Sequence, residues 1–141
     1  MLEQDLRKKI ESLLDGHVML QRIEFPRVPD LFFQSPRKNG WIEFKIWEPE
    51  RDVPFRPGQL SWIRACVANG GNVMLMAYSP RYGRLYCAWN NQIAERYTAQ
   101  ELTLLSSLDY AWLDYATLSR ILLCECQVCF MGGTRVFDHK D

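Results

Sequence analysis

What this sequence of 141 residues lacks excludes several classes of protein. It has no apolar run of the length that crosses a bilayer, so we expect no membrane-spanning segment. Its first residues lack the apolar centre of a secretion signal, which predicts a cytoplasmic protein. It also lacks internal repeats, low-complexity stretches and linkers. The length therefore predicts one domain over residues 1–131, followed by a polar tail over residues 132–141 that we expect to be flexible.

An excess of charge of either sign is also missing. The sequence has 17 Lys and Arg against 17 Asp and Glu, which argues against a strongly basic surface for nucleic acid. The charges are unevenly spread, because residues 51–96 contain six arginines and two acids, whereas residues 97–141 contain three basic and six acidic residues. With 48% hydrophobic residues, the composition is that of a globular domain and excludes a disordered chain.

Histidine is scarce, and the cysteines form no paired motif. His17 and His139 are the only histidines, and nothing marks them as the pair that a histidine-based nuclease or a Cys-His protease needs. Five cysteines in a cytoplasmic protein predict reduced thiols. Cys124, Cys126, Cys129 and His139 form a candidate zinc site. Without a second C-x-x-C pair, we favour small thiols buried in a helix.

Helix and strand patterns alternate along the chain. Apolar residues at helical spacing predict a first helix that ends at Gly16, and residues 58–68 form a second predicted helix. Strand-forming residues predict five strands, at 18–25, 30–34, 41–47, 72–78 and 84–89. The helix between the third and fourth strands indicates a crossover. We therefore predict an α/β fold, with a central mixed β-sheet and helices on both faces.

Two further helices are predicted after the fifth strand. Thr98 and Glu101 have the spacing of a capping box, which indicates a helix start. Asp114 is a typical N-cap for a last helix that extends to about Cys126. Neither helix carries a motif with chemistry of its own.

The predicted strand at residues 41–47 carries an acid and an amine on one face. Because alternate residues of a strand point to opposite faces, Glu43 and Lys45 share a face with Trp41 and Trp47. An exposed ion pair of little consequence is the alternative, but two charges between two indoles are unusual on an ordinary surface, so we favour a functional site. The opposite face is apolar and is expected to be core; it consists of Ile42, Phe44 and Ile46.

Asp30 follows Pro29 at the start of the preceding predicted strand. If the two strands are neighbours, the side chains of Asp30, Glu43 and Lys45 converge at one end of the sheet. Carboxylates from adjacent strands suit Mg²⁺ or Mn²⁺, and the carbonyl of Phe44 offers another oxygen ligand. Such a cation polarises a phosphodiester and activates a water, and Lys45 would stabilise the developing charge or orient that water.

These residues carry a resemblance to a known family. Pro29-Asp30, a turn and then Glu43-Phe44-Lys45 resemble the signature of the PD-(D/E)xK nuclease superfamily. The next helix, with Gln59 near its start and Gly70-Gly71 before an apolar strand, is similar to the continuation in archaeal-type Holliday-junction resolvases and VRR-type nucleases. The resemblance covers about residues 1–78.

The resemblance implies a restriction-endonuclease-like core with specific roles. Asp30, Glu43 and Lys45 would be catalytic, and Gln59 would lie near the active site. The first helix would contribute a further acid to the metal site. Glu3 fits that role better than Glu11 because it begins the helix.

The resemblance also implies a function and a rival. It implies a Mg²⁺- or Mn²⁺-dependent nuclease acting on DNA in recombination, repair or phage DNA processing, in the host cytoplasm if a phage encodes it. Branched DNA such as a Holliday junction is the first substrate to consider, and resolvases of this type usually act as homodimers. The rival is a catalytically silent module of the same fold that acts through protein contacts, which the neutral net charge and the acidic C-terminal third favour.

Basic and aromatic side chains near the site in sequence are candidate DNA contacts. Trp41 and Trp47 suit stacking on unpaired bases, or packing under the first helix or at an oligomer interface. Aromatic residues near the C-terminus are more typical of core or interface; they are Tyr110, Trp112 and Tyr115. Candidates for phosphate contacts, or for ordinary solvated charge, are Arg22, Arg27, Arg37, Lys38, Arg51 and Arg56.

Overall fold

A six-stranded sheet with helices on both faces forms the fold in the computed structural model, which describes residues 1–123. The predicted fold class is therefore confirmed. The strands are β1 (Met19–Arg22), β2 (Leu31–Gln34), β3 (Asn39–Ile46), β4 (Val73–Ser79), β5 (Arg84–Trp89) and β6 (Ser106–Asp109). The helices are α1 (Glu3–Leu14), α2 (Gln59–Ala68), α3 (Ala99–Leu104) and α4 (Tyr115–Leu122), with 3₁₀ turns at Asn90–Gln92 and Tyr110–Trp112.

The strands lie in the sheet in the order in which they occur in the chain. Four neighbouring pairs are antiparallel, and β3 and β4 are the one parallel pair within residues 1–123. A parallel pair needs a crossover connection, and α2 supplies it between β3 and β4. The crossover expected from the sequence is thus present.

The alternation along β3 divides the interior into two cores. Ile42 and Phe44 are fully buried on the face that packs against α1 and α4, and burying a side chain such as Phe44 stabilises the fold by roughly 1.5–3 kcal/mol. Trp47 belongs to the second core, on the face covered by α2. The odd-numbered face of β3 that carries Glu43 and Lys45 is therefore the α2 face.

Several element boundaries differ from the sequence-based predictions. β1 spans four residues, Met19–Arg22, instead of residues 18–25, since β2 offers partners only from Leu31 to Gln34. Gly58 has a positive φ of 81° and lies outside α2 as its N-cap, in a conformation that suits glycine. β6 was not predicted; this short strand, Ser106–Asp109, has Leu108 as its one apolar residue and pairs with β5 at the sheet edge.

The structure excludes settings that were predicted for two aromatic residues. Trp47 is only 3% exposed and packs against Tyr86 and Tyr97, so it is not a platform for bases and does not lie under α1. Trp112 is 79% exposed, so of the two settings predicted for it the core is excluded, and an interface stays a prediction. Tyr110, by contrast, packs against Tyr78, with ring centroids 4.3 Å apart.

Some predictions fall outside the described residues. They concern the cluster of Cys124, Cys126, Cys129 and His139, the extension of the last helix to Cys126 and the tail at residues 132–141. Within residues 1–123, no helix has both the length and the apolar character needed to cross a membrane.

Candidate metal centre

The hairpin of β2 and β3 brings Asp30 and Glu43 together. Leu31 lies opposite Ile42 in the antiparallel register, and one step further along both strands sets Asp30 opposite Glu43 on the same face. The backbone N–H of Phe44 donates to Asp30 Oδ2 over 3.3 Å. The Asp30 carboxylate is therefore held at the point where β2 begins.

Helix α1 adds a third carboxylate. Leu6, Ile10 and Leu14 bury one side of α1 in the first core, and Glu3 is the first residue of the helix. Carboxylate oxygens of Glu3, Asp30 and Glu43 all lie within 4.8 Å of one another; we call these three residues the acidic cluster. The alternative acid, Glu11, instead pairs with Arg7 at 3.1 Å and Arg22 at 3.8 Å.

Glu43 and Lys45 form a buried ion pair. Lys45 Nζ lies 3.1 Å from Glu43 Oε2, and the side chains are only 1% and 0% exposed. The ammonium of Lys45 is the positive charge that faces Glu43 Oε2 within this buried pair. The alternative of an exposed surface pair is therefore excluded.

Burial and neighbouring charge change the acidity of the cluster. Burial, reinforced by the negative charge of Asp30, raises the pKa of Glu43 to about 7, against the opposing effect of Lys45. Burial also raises the pKa of Glu3, again opposed by the positive charge of Lys45. Both carboxyls thus resist ionisation until a positive charge compensates them.

The cluster fits a hard divalent cation. Buried polar atoms usually have partners, yet Oε1 of the fully buried Glu43 accepts no hydrogen bond from residues 1–123, whereas Oε2 has the contact with Lys45. Oxygen-only ligand sets of this kind suit Mg²⁺ or Mn²⁺. A cation would supply a partner for Glu43 Oε1.

The backbone of Phe44 faces the same side as Asp30. Trp41 and Trp47 donate their backbone N–H groups towards β4, to Asn72 and Tyr78. Residues of β3 with even numbers therefore direct both their N–H and C=O groups towards β2. The N–H of Phe44 already binds Asp30, and its carbonyl points to the same edge, where the sequence predicts a ligand.

Arg56 and Gln59 adjoin the cluster on the segment that leads into α2. Arg56 places a guanidinium nitrogen 3.8 Å from Asp30 Oδ1, and its side chain is 48% exposed. Gln59 is fully buried, and its Oε1 accepts a hydrogen bond from the backbone N–H of Arg56 at 3.1 Å. Gln59 is therefore linked to the cluster through Arg56.

The other basic candidates lie in different settings. Lys38 is buried, with Nζ 3.8 Å from the centre of the Trp89 ring, and Arg22 pairs with Glu11. The side chain of Arg27 lies next to Gly58. The backbone carbonyl of Arg51 accepts from Trp47 Nε1. Arg37 is exposed in the turn between β2 and β3. No pattern in the sequence distinguished Arg56 from these residues.

Comparisons with known proteins add evidence on the fold. No protein-family model and no curated protein matches the sequence. Among solved structures, the chain is similar to Hjc from Archaeoglobus fulgidus, a Holliday junction resolvase from an archaeal hyperthermophile, with a TM-score of 0.53 and 15% identity over 80% of this chain and 98% of that one. This likeness shows the fold alone.

Proposed function

We propose that the protein is a metal-dependent nuclease of the PD-(D/E)xK type that hydrolyses phosphodiester bonds in DNA. The observation that carries the proposal is the acidic cluster around the buried Glu43, with Lys45 beside it. The fold, shared with a Holliday junction resolvase, supports it. Branched DNA is accordingly the first substrate that we propose.

Different residues of the site would bind the cation and the substrate. Asp30, Glu43, Glu3 and the carbonyl of Phe44 would hold Mg²⁺ or Mn²⁺, which when bound polarises the scissile phosphate and lowers the pKa of a water ligand. Lys45 offers its ammonium group to the attacking water or to the charge that develops on the phosphate. Its position beside Glu43 keeps this charge at the cluster.

Arg56 is suited to contact the substrate. Its guanidinium is half exposed and adjoins Asp30, so it reaches solvent at the point where a phosphate would approach the cluster. Arginine pairs well with phosphate oxygens. Gln59 is a positioning residue, since it holds the backbone of Arg56.

The cleavage of two strands at a junction requires two active sites. We therefore propose a homodimer, in which the two-fold axis relates the two acidic clusters. Sedimentation or light scattering should give twice the chain mass of 16.6 kDa. A monomer on junction DNA would leave the nuclease proposal intact and contradict the resolvase one.

The decisive experiment is cleavage of a labelled panel of single strand, duplex, flap and four-way junction with Mg²⁺ or Mn²⁺. Asp30→Asn retains the side-chain oxygen that accepts from Phe44 but loses the charge, and Lys45→Ala removes the amine. Both variants should lose cleavage. Asp52→Asn is the matched control, because Asp52 is an exposed acid paired with Arg96.

The same experiment decides between the proposal and its rival. Cation-dependent cutting that survives in Asp52→Asn and disappears in Asp30→Asn supports the nuclease. If the folded protein binds Mn²⁺ and cuts no member of the panel, the catalytically silent module is the better account.

A further inference from the structure

A shallow apolar groove lies on the α2 face of the sheet. It has a volume of about 350 Å³ and is lined by Trp41, Trp62, Ala65, Cys66, Asn69 and Gly71; we call it the tryptophan groove. The rings of Trp41 and Trp62 meet edge to face, with centroids 5.2 Å apart. Phe32 also packs against Trp41, with ring centroids 4.9 Å apart.

The aromatic row runs beside the acidic cluster. Trp41 precedes Glu43 by two residues on β3, and Phe32 follows Asp30 by two residues on β2. Phe32 and Trp41 are partners in the β2–β3 register, so the aromatic pair and the acidic pair form consecutive rows on one face, about 7 Å apart along the strands. A DNA strand held at the cluster would place a neighbouring nucleotide at the groove.

No segment within residues 1–123 covers the sheet next to this row. On the same face, β1 and β2 present Met19, which is 59% exposed, and the exposed side chains of Gln21 and Gln34. On this same face, helix α2 lies on the side of Trp41 away from β1 and β2, with Ile63 in the second core. An extended strand therefore has space to cross this face from the groove to the acidic cluster.

We propose that the tryptophan groove binds an unpaired base of the DNA strand that is cut at the acidic cluster. This inference rests on the proposed nuclease function. Among residues 1–123, no lysine or arginine lines the groove, so the groove is poorly suited to phosphates, whereas indole rings stack on bases of any sequence. The preferred substrates then carry unpaired nucleotides next to the scissile bond, as single strands, flaps and opened branches do.

The test compares two single strands with the same phosphates. One is a thymidine strand of about 12 nucleotides, in the size range that such sites cover, and the other is an abasic strand of equal length. Binding is measured by fluorescence anisotropy in EDTA, so that no cleavage occurs. The wild-type protein should bind the thymidine strand more tightly, because only that strand has bases to stack.

Trp62 gives the variant that reports on stacking. Trp62→Ala should weaken binding of the thymidine strand by about tenfold and leave binding of the abasic strand and of duplex unchanged. Trp62→Phe keeps an aromatic ring and should recover most of the affinity, which separates stacking from a folding defect. Trp112→Ala is the control, since Trp112 is 79% exposed and lies outside the groove.

Three results would overturn the inference. Equal weakening on thymidine and abasic strands, or no DNA binding at all, would show that the groove does not hold a base. A change in sedimentation mass in Trp62→Ala, with DNA binding unaltered, would assign the surface to contacts between copies of the chain.

Failure of the inference and failure of the nuclease proposal are distinguishable. If the wild type cleaves DNA but binding does not depend on Trp62, the base site in the groove is rejected and the nuclease proposal is retained. If the protein cuts no DNA but prefers strands with bases, and this preference depends on Trp62, the groove is a single-strand site and the nuclease proposal is rejected.

Discussion

Lys45 Nζ lies 3.1 Å from Glu43 Oε2, although neither side chain is more than 1% exposed. Moving both charges out of water is expensive, and their mutual attraction offsets this cost only when the remaining polar atoms also find partners. Glu43 Oε1, by contrast, has no hydrogen-bond donor among residues 1–123. The arrangement therefore destabilises the metal-free fold, and its effect can be measured as a change in the free energy of unfolding.

The raised pKa of Glu43 predicts that the metal-free protein loses stability as pH rises. The folded carboxyl holds its proton up to about pH 7, whereas its ordinary pKa is 4.5. The folded state therefore binds more protons between these values, and the free energy of unfolding falls by up to ~3 kcal/mol across that window. Urea denaturation in EDTA from pH 4.5 to 7.5 measures this loss.

Glu43→Gln tests the assignment of that pH dependence. The amide cannot ionise, so the variant should show a flatter dependence over the same window. Glu24→Gln replaces an exposed acid and should follow the wild type. If Glu43→Gln and the wild type give parallel curves, Glu43 is not the group responsible.

The two acids of α1 should differ in their effect on cation binding. Glu3 belongs to the acidic cluster, whereas Glu11 pairs with Arg7 and Arg22. Glu3→Gln should weaken Mn²⁺ binding by at least about tenfold, the scale of changes close to a metal. Glu11→Gln should leave it unchanged and cost at most ~1 kcal/mol of stability. Titration calorimetry measures Mn²⁺ binding by both variants, and an equal loss of Mn²⁺ affinity in the two would contradict the role of Glu3.

Arg56→Ala should weaken DNA binding and reduce its dependence on salt. A side chain that contacts one phosphate contributes about one unit to the slope of log affinity against log salt concentration. Arg96→Ala is a matched control, because Arg96 also pairs an exposed guanidinium with an aspartate. Anisotropy titrations in Ca²⁺ at several salt concentrations give the slopes. Equal slopes for the two variants would exclude a phosphate contact at Arg56.

The sequence was most informative where one strand alternates strictly. In β3 the apolar residues and the charged pair separate onto two faces, and a hairpin turn sets the neighbouring strand in register, so the approach of Asp30 to Glu43 follows from local geometry. The capping box of Thr98 and Glu101 similarly marks a helix start by a local signal.

Contacts between distant segments were beyond such patterns. Trp47 is buried by Tyr86 and Tyr97, which lie about 40 and 50 residues further along the chain. β6 has a single apolar residue, Leu108, and forms an edge of the sheet, so it carries no alternating apolar pattern from which a strand could be predicted. The position of Arg56 depends on a loop whose path has no periodic signal.

The order of strands in the sheet bears on how the acidic cluster assembles during folding. Asp30 and Glu43 belong to one hairpin, whose contacts are close in sequence and cheap to form. Glu3 precedes β1 and reaches them only when α1 docks across β3. The complete cluster thus exists only after the N-terminal helix has docked. A cation bound by all three carboxylates would stabilise the packing of α1 against the hairpin and oppose fraying of that helix.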